Sequence, residues 1–192
     1  PIACRLSGET KKSEFLRWGL VAGWAKDIES GNRLINARSE TIMDKPSFRN
    51  AFARRRCLIL ADGFFEWKKG KTKGTPSQPY YFQLVDKKPF ALAGIWEIWH
   101  APDGSELWST AIITCEANDV LKPVHDRMPV ILDKNHMFNW LDDRPQKELV
   151  EMMQPYSAEK MKSHMVGKAV NSPFNDTPEC VEAIKQGGML FS

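Results

Sequence analysis

The feature that most constrains the fold is a succession of short runs rich in aromatic and β-branched residues. Such runs have the composition and length of β-strands. They follow one another without the regular strand–helix alternation of parallel α/β proteins. We therefore predict a single α+β domain with a mostly antiparallel, barrel-like sheet and a few flanking helices. The predicted strands are Ile2–Leu6, Phe15–Leu20, Cys57–Ala61, Phe64–Lys68, Tyr80–Val85, Phe90–Trp99, Leu107–Cys115, Met128–Leu132 and Met165–Val170.

Helical signals are fewer. Oxygen-bearing side chains that cap helices stand before two short segments, and a further segment has helical spacing. The polar stretch from Lys68 to Gln78 separates two predicted strands and is interpreted as a long hairpin loop. The predicted helical elements are a helix capped by Ser47 and running to about Arg55, a short turn opened by Asn118, a helix over Lys134–Leu141 capped by Asp133, and a helix over Gln146–Met153.

The overall charge restricts where a polyanion can bind. The chain has 192 residues, of which 42% are hydrophobic, and a formal charge of only +3. A nucleic-acid site must then be a local concentration of charge. Basic residues cluster in Lys45–Arg56 and Lys68–Lys73, although solvated surface is the alternative interpretation. The sequence shows neither a bilayer-spanning apolar run nor a signal peptide, so we expect a soluble intracellular protein.

The cysteines argue against a zinc site. Cys4, Cys57, Cys115 and Cys180 are far apart and form no C-x-x-C motif. Cys57 and Cys115 stand in apolar runs, which predicts that they are core residues in a reducing compartment. We expect no metal and no cofactor.

The seven tryptophans include Trp18, Trp24 and Trp67, each of which stands beside a glycine, a charged residue or both. Exposed aromatic rings interleaved with arginine can stack on unpaired bases. The alternative, which we favour for most of the seven, is a place in the core.

Four short segments concentrate the polar residues suited to chemistry. Glu66 lies between Phe65 and Trp67, and a carboxylate among aromatic rings is partly desolvated, which raises its pKa toward the range of general acid–base catalysis. An exposed Glu on a solvent face is the alternative. The segments are Trp18–Trp24, Ile35–Thr41, Ala61–Trp67 and Val124–Pro129.

The other polar candidates are His125, Asn36 and two arginines. His125 can exchange a proton near neutral pH, Asp126 can orient its ring, and Arg127 can bind a phosphate or carboxylate. Asn36 and Arg38 are two residues apart, so in an extended chain they face the same way. A structural hydrogen bond is the alternative role for His125, and the Asn-x-Arg pair alone has little specificity.

Together the segments resemble the SRAP family, named for SOS response-associated peptidases and shared with a eukaryotic protein that shields abasic sites. The resemblance runs from about Phe15 to the end of the chain and follows the family's order of motifs. Its residues read WGL…GW, INARSET, ADGFFEW and HDRMP, followed by VNSPFND from Val170.

The resemblance implies a fold around a positively charged cleft that binds single-stranded DNA. In the family, a terminal cysteine forms a Schiff base with the aldehyde of an abasic site and then closes a thiazolidine ring, which protects the site during the DNA damage response. Carried over, Glu66 and His125 move protons and Asn36 orients the terminal residue. Arg38 and Arg127 hold flanking phosphates, and Trp18 and Trp67 support the cleft or stack on bases.

The beginning of the sequence departs from the family pattern. Family members begin Cys-Gly-Arg-Phe, whereas this sequence begins Pro1-Ile2-Ala3-Cys4 and resembles a later family strand. We expect that an N-terminal segment with the terminal cysteine is missing, and that Cys4 is a strand residue. Pro1, a secondary amine, can form an iminium but cannot close a thiazolidine.

Three further functions remain open. A cysteine peptidase that cuts its own leader predicts turnover on peptides, and a non-catalytic single-stranded DNA binder suits a chain without the nucleophile. A metal hydrolase using His125, Asp126 and His164 lacks ligand spacing. We expect a monomer that acts on abasic single-stranded DNA and not on membranes, in the cytoplasm with the nucleoid if bacterial, or in the nucleus if eukaryotic.

Overall fold

The structure is a computed structural model that describes residues 2–7, 10–70, 72 and 74–184. It confirms the predicted α+β class with mostly antiparallel strands. A large sheet holds nine strands and a small sheet holds three. The strands of the large sheet are β1 (Ile2–Ser7), β2 (Thr10–Phe15), β3 (Arg17–Trp18), β4 (Asn36–Arg38), β5 (Arg56–Ala61), β8 (Phe90–His100), β9 (Glu106–Glu116), β10 (Arg127–Pro129) and β11 (Ile131–Leu132); those of the small sheet are β6 (Phe64–Lys68), β7 (Gln78–Leu84) and β12 (Met161–Met165).

The large sheet is open, so the predicted barrel-like closure is wrong. Its main path runs β10-β9-β8-β5-β1-β2 and has two ends among the described strands. The long hairpin of β8 and β9 splays beyond Gly94 and Ile112, where their pairing stops. Val130 enters the gap, because its N–H donates to the Ile113 carbonyl and its carbonyl accepts from the Ala93 N–H. The splay leaves one end of β9 flanked by short strands.

Those short strands place two of the chemical segments side by side. β4 runs parallel to β9, with Arg38 opposite Thr114. β10 runs antiparallel to the same end of β9, with Pro129 also opposite Thr114. Asn36 and Arg38 therefore lie across β9 from Arg127.

β6 of the small sheet lies against the end of the large sheet formed by β4, β9 and β10. β6 and β7 form the predicted hairpin, in which Lys68 pairs with Gln78. Phe64 stacks on Phe82 with ring centroids 5.4 Å apart, and Phe82 is fully buried in the core. The hairpin is thus anchored by its apolar face.

The helical predictions are partly confirmed. Helix α1 covers Arg49–Arg54, where the Ser47 cap is wrong because Phe48 holds the cap position without a side-chain bond. Helix α2 covers Gln146–Glu151 within the predicted segment. Asn118 opens the predicted turn, since its Oδ1 accepts from the N–H groups of Val120 and Leu121.

Two predicted elements are wrong. Lys134–Leu141 forms turns rather than a helix, although Asp133 does accept from the N–H groups that follow it. Trp140 is fully buried there and its carbonyl accepts from the Arg56 Nε, so tertiary contacts override local helical spacing. The predicted strand Met165–Val170 belongs mainly to a 3-10 turn at Lys168–Asn171, because the strand lies earlier, at β12, and ends before Gly167.

The core settles the positions of the cysteines and tryptophans. Cys57 and Cys115 are buried, as predicted. Trp140 is fully buried, whereas Trp18, Trp24 and Trp67 are 48%, 67% and 37% exposed. The three tryptophans considered for base stacking are thus the exposed ones. Among the described residues, no helix is both long and apolar enough to cross a membrane.

Candidate active site

A pocket of about 320 Å³ lies between β6 of the small sheet and the β4–β9–β10 end of the large sheet. It brings together residues from all four segments, the first and last of which are more than a hundred positions apart along the chain. Apolar side chains from Phe64, Phe65, Leu92 and Ile112 form much of its wall. The predicted site residues that line it are Trp18, Asn36, Arg38, Glu66, His125 and Arg127.

Glu66 is the partly buried carboxylate of this pocket. On β6 it pairs with Tyr80, and Phe64 and Phe65 beside it line the same pocket. Burial raises the pKa of Glu66 above its ordinary value of 4.5, while the charge of nearby His125 acts in the opposite direction and that of Asp126 reinforces the rise. A carboxyl whose pKa lies above its ordinary value holds its proton more readily and is better suited to exchange one as a general acid and base.

The absence of a side chain at Gly63 allows the chain to pass close to Tyr81 immediately before β6. A Cβ at this position would lie 2.2 Å from the ring and hydroxyl of Tyr81, far inside van der Waals contact. Tyr81 in turn packs on Phe65, with ring centroids 5.1 Å apart. The glycine of the ADGFFEW segment therefore lets Tyr81 support the strand that carries Glu66.

Asn36 and Arg38 face the same way on β4, as their spacing predicted, because Ala37 between them is fully buried. Both are exposed and line the pocket. Within the described part of the chain, neither side chain has a hydrogen-bond partner and Arg38 has no ion-pair partner. Arg38 therefore presents an uncommitted positive charge at the rim.

His125 is held by the backbone of the HDR segment. The Arg127 N–H is a fixed donor that lies 3.0 Å from Nδ1 of His125. Nδ1 also lies 3.3 Å from the Arg127 carbonyl, but the shorter contact is with the N–H, which can only donate, so we assign Nδ1 of the neutral ring as the acceptor and Nε2 as the protonated nitrogen. In the protonated ring, Nδ1 lies 3.3 Å from a carboxylate oxygen of Asp126, which is the orienting group predicted from the sequence.

Arg127 lines the pocket but is already paired. Its Nη1 and Nη2 donate to the two carboxylate oxygens of Glu40 at 2.6 and 2.9 Å, and Nη2 also donates to the Thr114 carbonyl. Glu40 follows Arg38 in the INARSET segment, and sequence reasoning passed over it. Its local signal was only a carboxylate two residues after Arg38, because its partner Arg127 lies 87 positions away along the chain.

The two candidate tryptophans differ in their relation to the pocket. Trp18 lines it, and its indole N–H donates to the Ile35 carbonyl at 2.9 Å, which leaves the ring face exposed. Trp67 lies on the other side of β6, where its indole N–H donates to Asn171. The structure therefore does not bring Trp67 into the pocket wall.

The described residues contain no cluster of His, Cys, Asp or Glu that could hold a metal ion. His164 lies on β12, where its ring packs on Tyr81 and its Nε2 contacts the Val181 carbonyl. It does not join His125 and Asp126. Cys4 lies inside β1, where its backbone pairs with Ser13 and Leu58, as predicted for a strand residue.

Comparison with known proteins identifies the family of the chain. The family model for SOS response associated peptidase (SRAP) matches residues 2–173. The chain is 41% identical over 180 residues to the abasic site processing protein YoqW of Bacillus subtilis (strain 168), covering 92% of this chain and 79% of that protein. It is 35% identical over 198 residues to the abasic site processing protein HMCES of Gallus gallus, covering 90% of this chain and 57% of that protein.

The fold is similar to that of a protein from Bacteroides thetaiotaomicron known from its crystal structure. The two agree with a TM-score of 0.84 and 28% identity, over 96% of this chain and 82% of the other. The family model covers nearly the whole chain, and the motifs that it matches meet in one pocket. The chain therefore belongs to the SRAP family.

Proposed function

We propose that this protein processes abasic sites in single-stranded DNA by forming a covalent thiazolidine crosslink through a terminal cysteine supplied by residues that precede β1. The observation that carries the proposal is that Glu66 lies in one pocket with His125, Asn36 and the unpaired Arg38. Burial in this pocket raises the pKa of the Glu66 carboxyl. The names of the relatives support the choice of substrate.

The reaction needs two additions to one carbon. The terminal amine attacks the aldehyde carbon of the ring-opened sugar, and the resulting carbinolamine loses water to give a Schiff base. The thiolate then adds to the same carbon, and the nitrogen takes up a proton. A terminal amine has a pKa near ~8, so a useful fraction is neutral at pH 7. The second addition is intramolecular and therefore favoured.

Protons must move at two points, and the pocket has groups for both. In the proposal, protonated Glu66 donates to the hydroxyl that leaves as water and later recovers a proton. His125 acts on the sugar oxygen through Nε2, which no described residue engages. Asn36 orients the terminal residue with its free amide. Phe64 and Phe65 limit water around these groups, which strengthens their interactions.

The rim supplies the contacts for the DNA strand. Arg38 is proposed to hold a flanking phosphate, and the exposed face of Trp18 to stack on a base. Arg127 also faces the strand, but the Glu40 carboxylate offsets its charge, so it attracts a phosphate less strongly than Arg38 does. Trp67 supports the small sheet and can meet the strand only beyond the pocket.

The direction of β1 supports delivery of a terminal residue to the pocket. Ala3 pairs with Ile59, and Ile59 pairs with Leu92, which lines the pocket. Two strand spacings separate Ala3 from Leu92, or about 10 Å. A few extended residues ahead of β1 could span this distance.

The test is a crosslinking assay with an abasic single-stranded oligonucleotide. A protein that begins Met-Cys-Gly-Arg ahead of β1 is expected to form a crosslink that survives heat and denaturing gels. The chain that begins at Pro1 is expected to bind the DNA without that product. A heat-stable crosslink from the latter chain, mapped by mass spectrometry to Cys4, contradicts the proposal.

The same assay separates the alternatives. A cysteine peptidase predicts release of a leader peptide and turnover on peptides that DNA does not affect. A non-catalytic binder predicts equal affinity for abasic and intact single strands and no covalent product. The exposed Arg38 and Trp18 serve a binder equally well, so only the covalent product distinguishes it.

A further inference from the structure

Glu40 does not line the pocket, but it binds the side chain of Arg127, which does. It stands on the 3-10 turn Ser39–Thr41, directly after β4. Both of its carboxylate oxygens accept from the Arg127 guanidinium, at 2.6 and 2.9 Å. The Arg127 side chain is only 17% exposed, which makes this a partly buried, bidentate pair. Such forked pairs fix geometry as well as contributing energy.

The pair bridges β9 from one edge to the other. Arg127 starts from β10, its Nη2 donates to the Thr114 carbonyl of β9 at 2.6 Å, and its fork ends on Glu40 beyond β4. β4 and β10 are each three residues long, and their backbone pairing with β9 is correspondingly short. The side-chain bridge therefore adds a second attachment to both strands.

The two strands carry most of the polar groups of the pocket. β4 presents Asn36 and Arg38, and the residue that holds Nδ1 of His125 is Arg127 itself, through its backbone N–H. A shift of β10 relative to β4 would move His125 away from Asn36 and would loosen the bond that fixes the imidazole tautomer.

We propose that Glu40 is a positioning residue, which uses Arg127 to hold β4 and β10 in register across β9 and so keeps His125 and Asn36 in their working arrangement. The inference rests on the proposed function, because that function supplies the reaction to be measured. It also assigns Arg127 mainly to this bridge, since the Glu40 carboxylate offsets its charge. Arg38 is left as the cation available to phosphate.

The decisive variant is Glu40→Gln, with Glu116→Gln as its matched control. Gln keeps the shape of Glu but sets an amide N–H₂ against one Arg127 nitrogen, so one arm of the fork is lost. Glu116 is exposed, pairs with Arg127 in the strand register, and among the described residues its carboxylate forms neither a hydrogen bond nor an ion pair with the Arg127 guanidinium. The two variants remove the same charge from the same region.

The rate of crosslinking at saturating abasic DNA is expected to fall by roughly 10- to 100-fold in Glu40→Gln, the scale of a displaced catalytic group. Affinity for intact single-stranded DNA is expected not to weaken, because Arg38 is untouched and Arg127 is freed. Glu116→Gln is expected to stay within about twofold of the wild-type rate. Equal rates in the two variants, or a Glu40→Gln defect that more DNA restores, would overturn the inference.

A second variant tests the fork itself. Arg127→Lys keeps the charge but cannot bond both oxygens in a fixed plane. It is expected to slow crosslinking as much as Glu40→Gln, and the double variant is expected to be no slower than either single one, because one bridge is lost in each case. Losses that multiply in the double variant would show two independent roles and overturn the bridge.

The tautomer of His125 provides a readout that needs no reaction. In nitrogen NMR spectra of the free protein, the neutral His125 ring is expected to carry its proton on Nε2 in the wild type and in Glu116→Gln. Glu40→Gln is expected to give a mixture of both tautomers. If the wild type forms no crosslink, the proposed function fails, and this comparison still decides the role of Glu40. An unchanged tautomer in Glu40→Gln would overturn it.

Discussion

At the scale of single residues, the site depends on two carboxyl groups whose pKa values are displaced in opposite directions. Burial raises the pKa of Glu66, and the Arg127 hydrogen bond lowers the pKa of Glu40. The first group can therefore carry a proton, whereas the second remains a permanent anion that holds a cation. A similar division separates the arginines, since Arg127 is paired and Arg38 is not.

Glu66→Gln is the sharpest test of the proton transfer. In the protein that begins Met-Cys-Gly-Arg, Gln keeps the shape of Glu66 and loses the exchangeable proton, so crosslinking and its reversal should slow by about 10²-fold or more. Affinity for intact DNA should barely change, because Glu66 is not a phosphate ligand. A time course on an abasic oligonucleotide, with binding measured in parallel, provides the check. Wild-type rates with normal binding would make Glu66 structural, and loss of both would make it a support of the pocket.

The raised pKa of Glu66 also predicts a pH dependence of stability. The native state binds this proton more tightly than the unfolded chain does, so the wild-type free energy of unfolding falls as pH rises from about 4.5 through the native pKa. Glu66→Gln removes this loss. In urea titrations the variant should gain stability relative to the wild type as pH rises above about 4.5. A difference independent of pH would show that the carboxyl does not titrate abnormally.

Arg38→Ala tests the phosphate contact. Loss of one contact to a single strand should weaken binding and flatten the slope of log K against log salt by about 0.7. Arg54→Ala is the matched control, because Arg54 is exposed on α1 and does not line the pocket. Fluorescence anisotropy at several salt concentrations measures both quantities. An Arg38→Ala slope equal to that of Arg54→Ala would remove the proposed contact.

At the scale of elements, the position of Glu66 depends on how the β6–β7 hairpin is assembled. Phe64 attaches one face of β6 to the core through Phe82, and Tyr81 supports the other face through Phe65. Gly63 is the point where the chain passes Tyr81 too closely for any side chain. The hairpin thus holds the carboxylate over the end of the large sheet.

Gly63→Ala should disturb this hairpin and the site together. The added methyl must push Tyr81 or the strand aside, at a cost of about 1–3 kcal/mol in the free energy of unfolding. Gly167→Ala is the control, because its Cβ would lie 3.9 Å from Ile184 at an ordinary φ of −66°. The melting temperature and the crosslinking rate should both fall for Gly63→Ala and should not fall for Gly167→Ala. Equal behaviour of the two variants would mean that Tyr81 moves freely.

At the scale of the whole molecule, a buried arginine joins parts of the chain that are far apart in sequence. Arg56, at the start of β5, donates to the carbonyls of Phe52 and Ala53 at the end of α1 and to those of Trp140 and Asp142, each at 2.8 Å. The ring of Trp140 fills the core beneath it. Arg56 therefore attaches the irregular segment after β11 to β5, and the Trp140 indole N–H adds bonds to the carbonyls of Cys57 and Gly94.

Arg56→Met should lower the stability of the entire fold. It leaves buried carbonyls without a donor, which should cost about 3 kcal/mol or more in the free energy of unfolding. Arg54→Met, on an exposed neighbouring position, should change it by less than about 0.5 kcal/mol. Urea denaturation measures both. A small effect at Arg56 would show that water replaces the guanidinium.

The sequence by itself determined the strands and the chemical residues. Aromatic and β-branched runs located most of the large sheet, and the alternation along Asn36-Ala37-Arg38 and Phe64-Phe65-Glu66 fixed which side chains share a face, because these signals depend only on neighbouring residues. The same local patterns failed at Lys134–Leu141 and at β12, where the buried Trp140 and the pairing with β7 decided the backbone.

Only the tertiary structure decided which candidates are free to act. The sequence presented Arg38 and Arg127 as equal cations and Trp18 and Trp67 as equal rings. The fold paired Arg127 with Glu40, which lies 87 positions away, and turned Trp67 toward Asn171. Whether a charge is available depends on its partner in space, and that partner is brought near by the splay of β8 and β9 around Val130. No pattern confined to one segment contains that information.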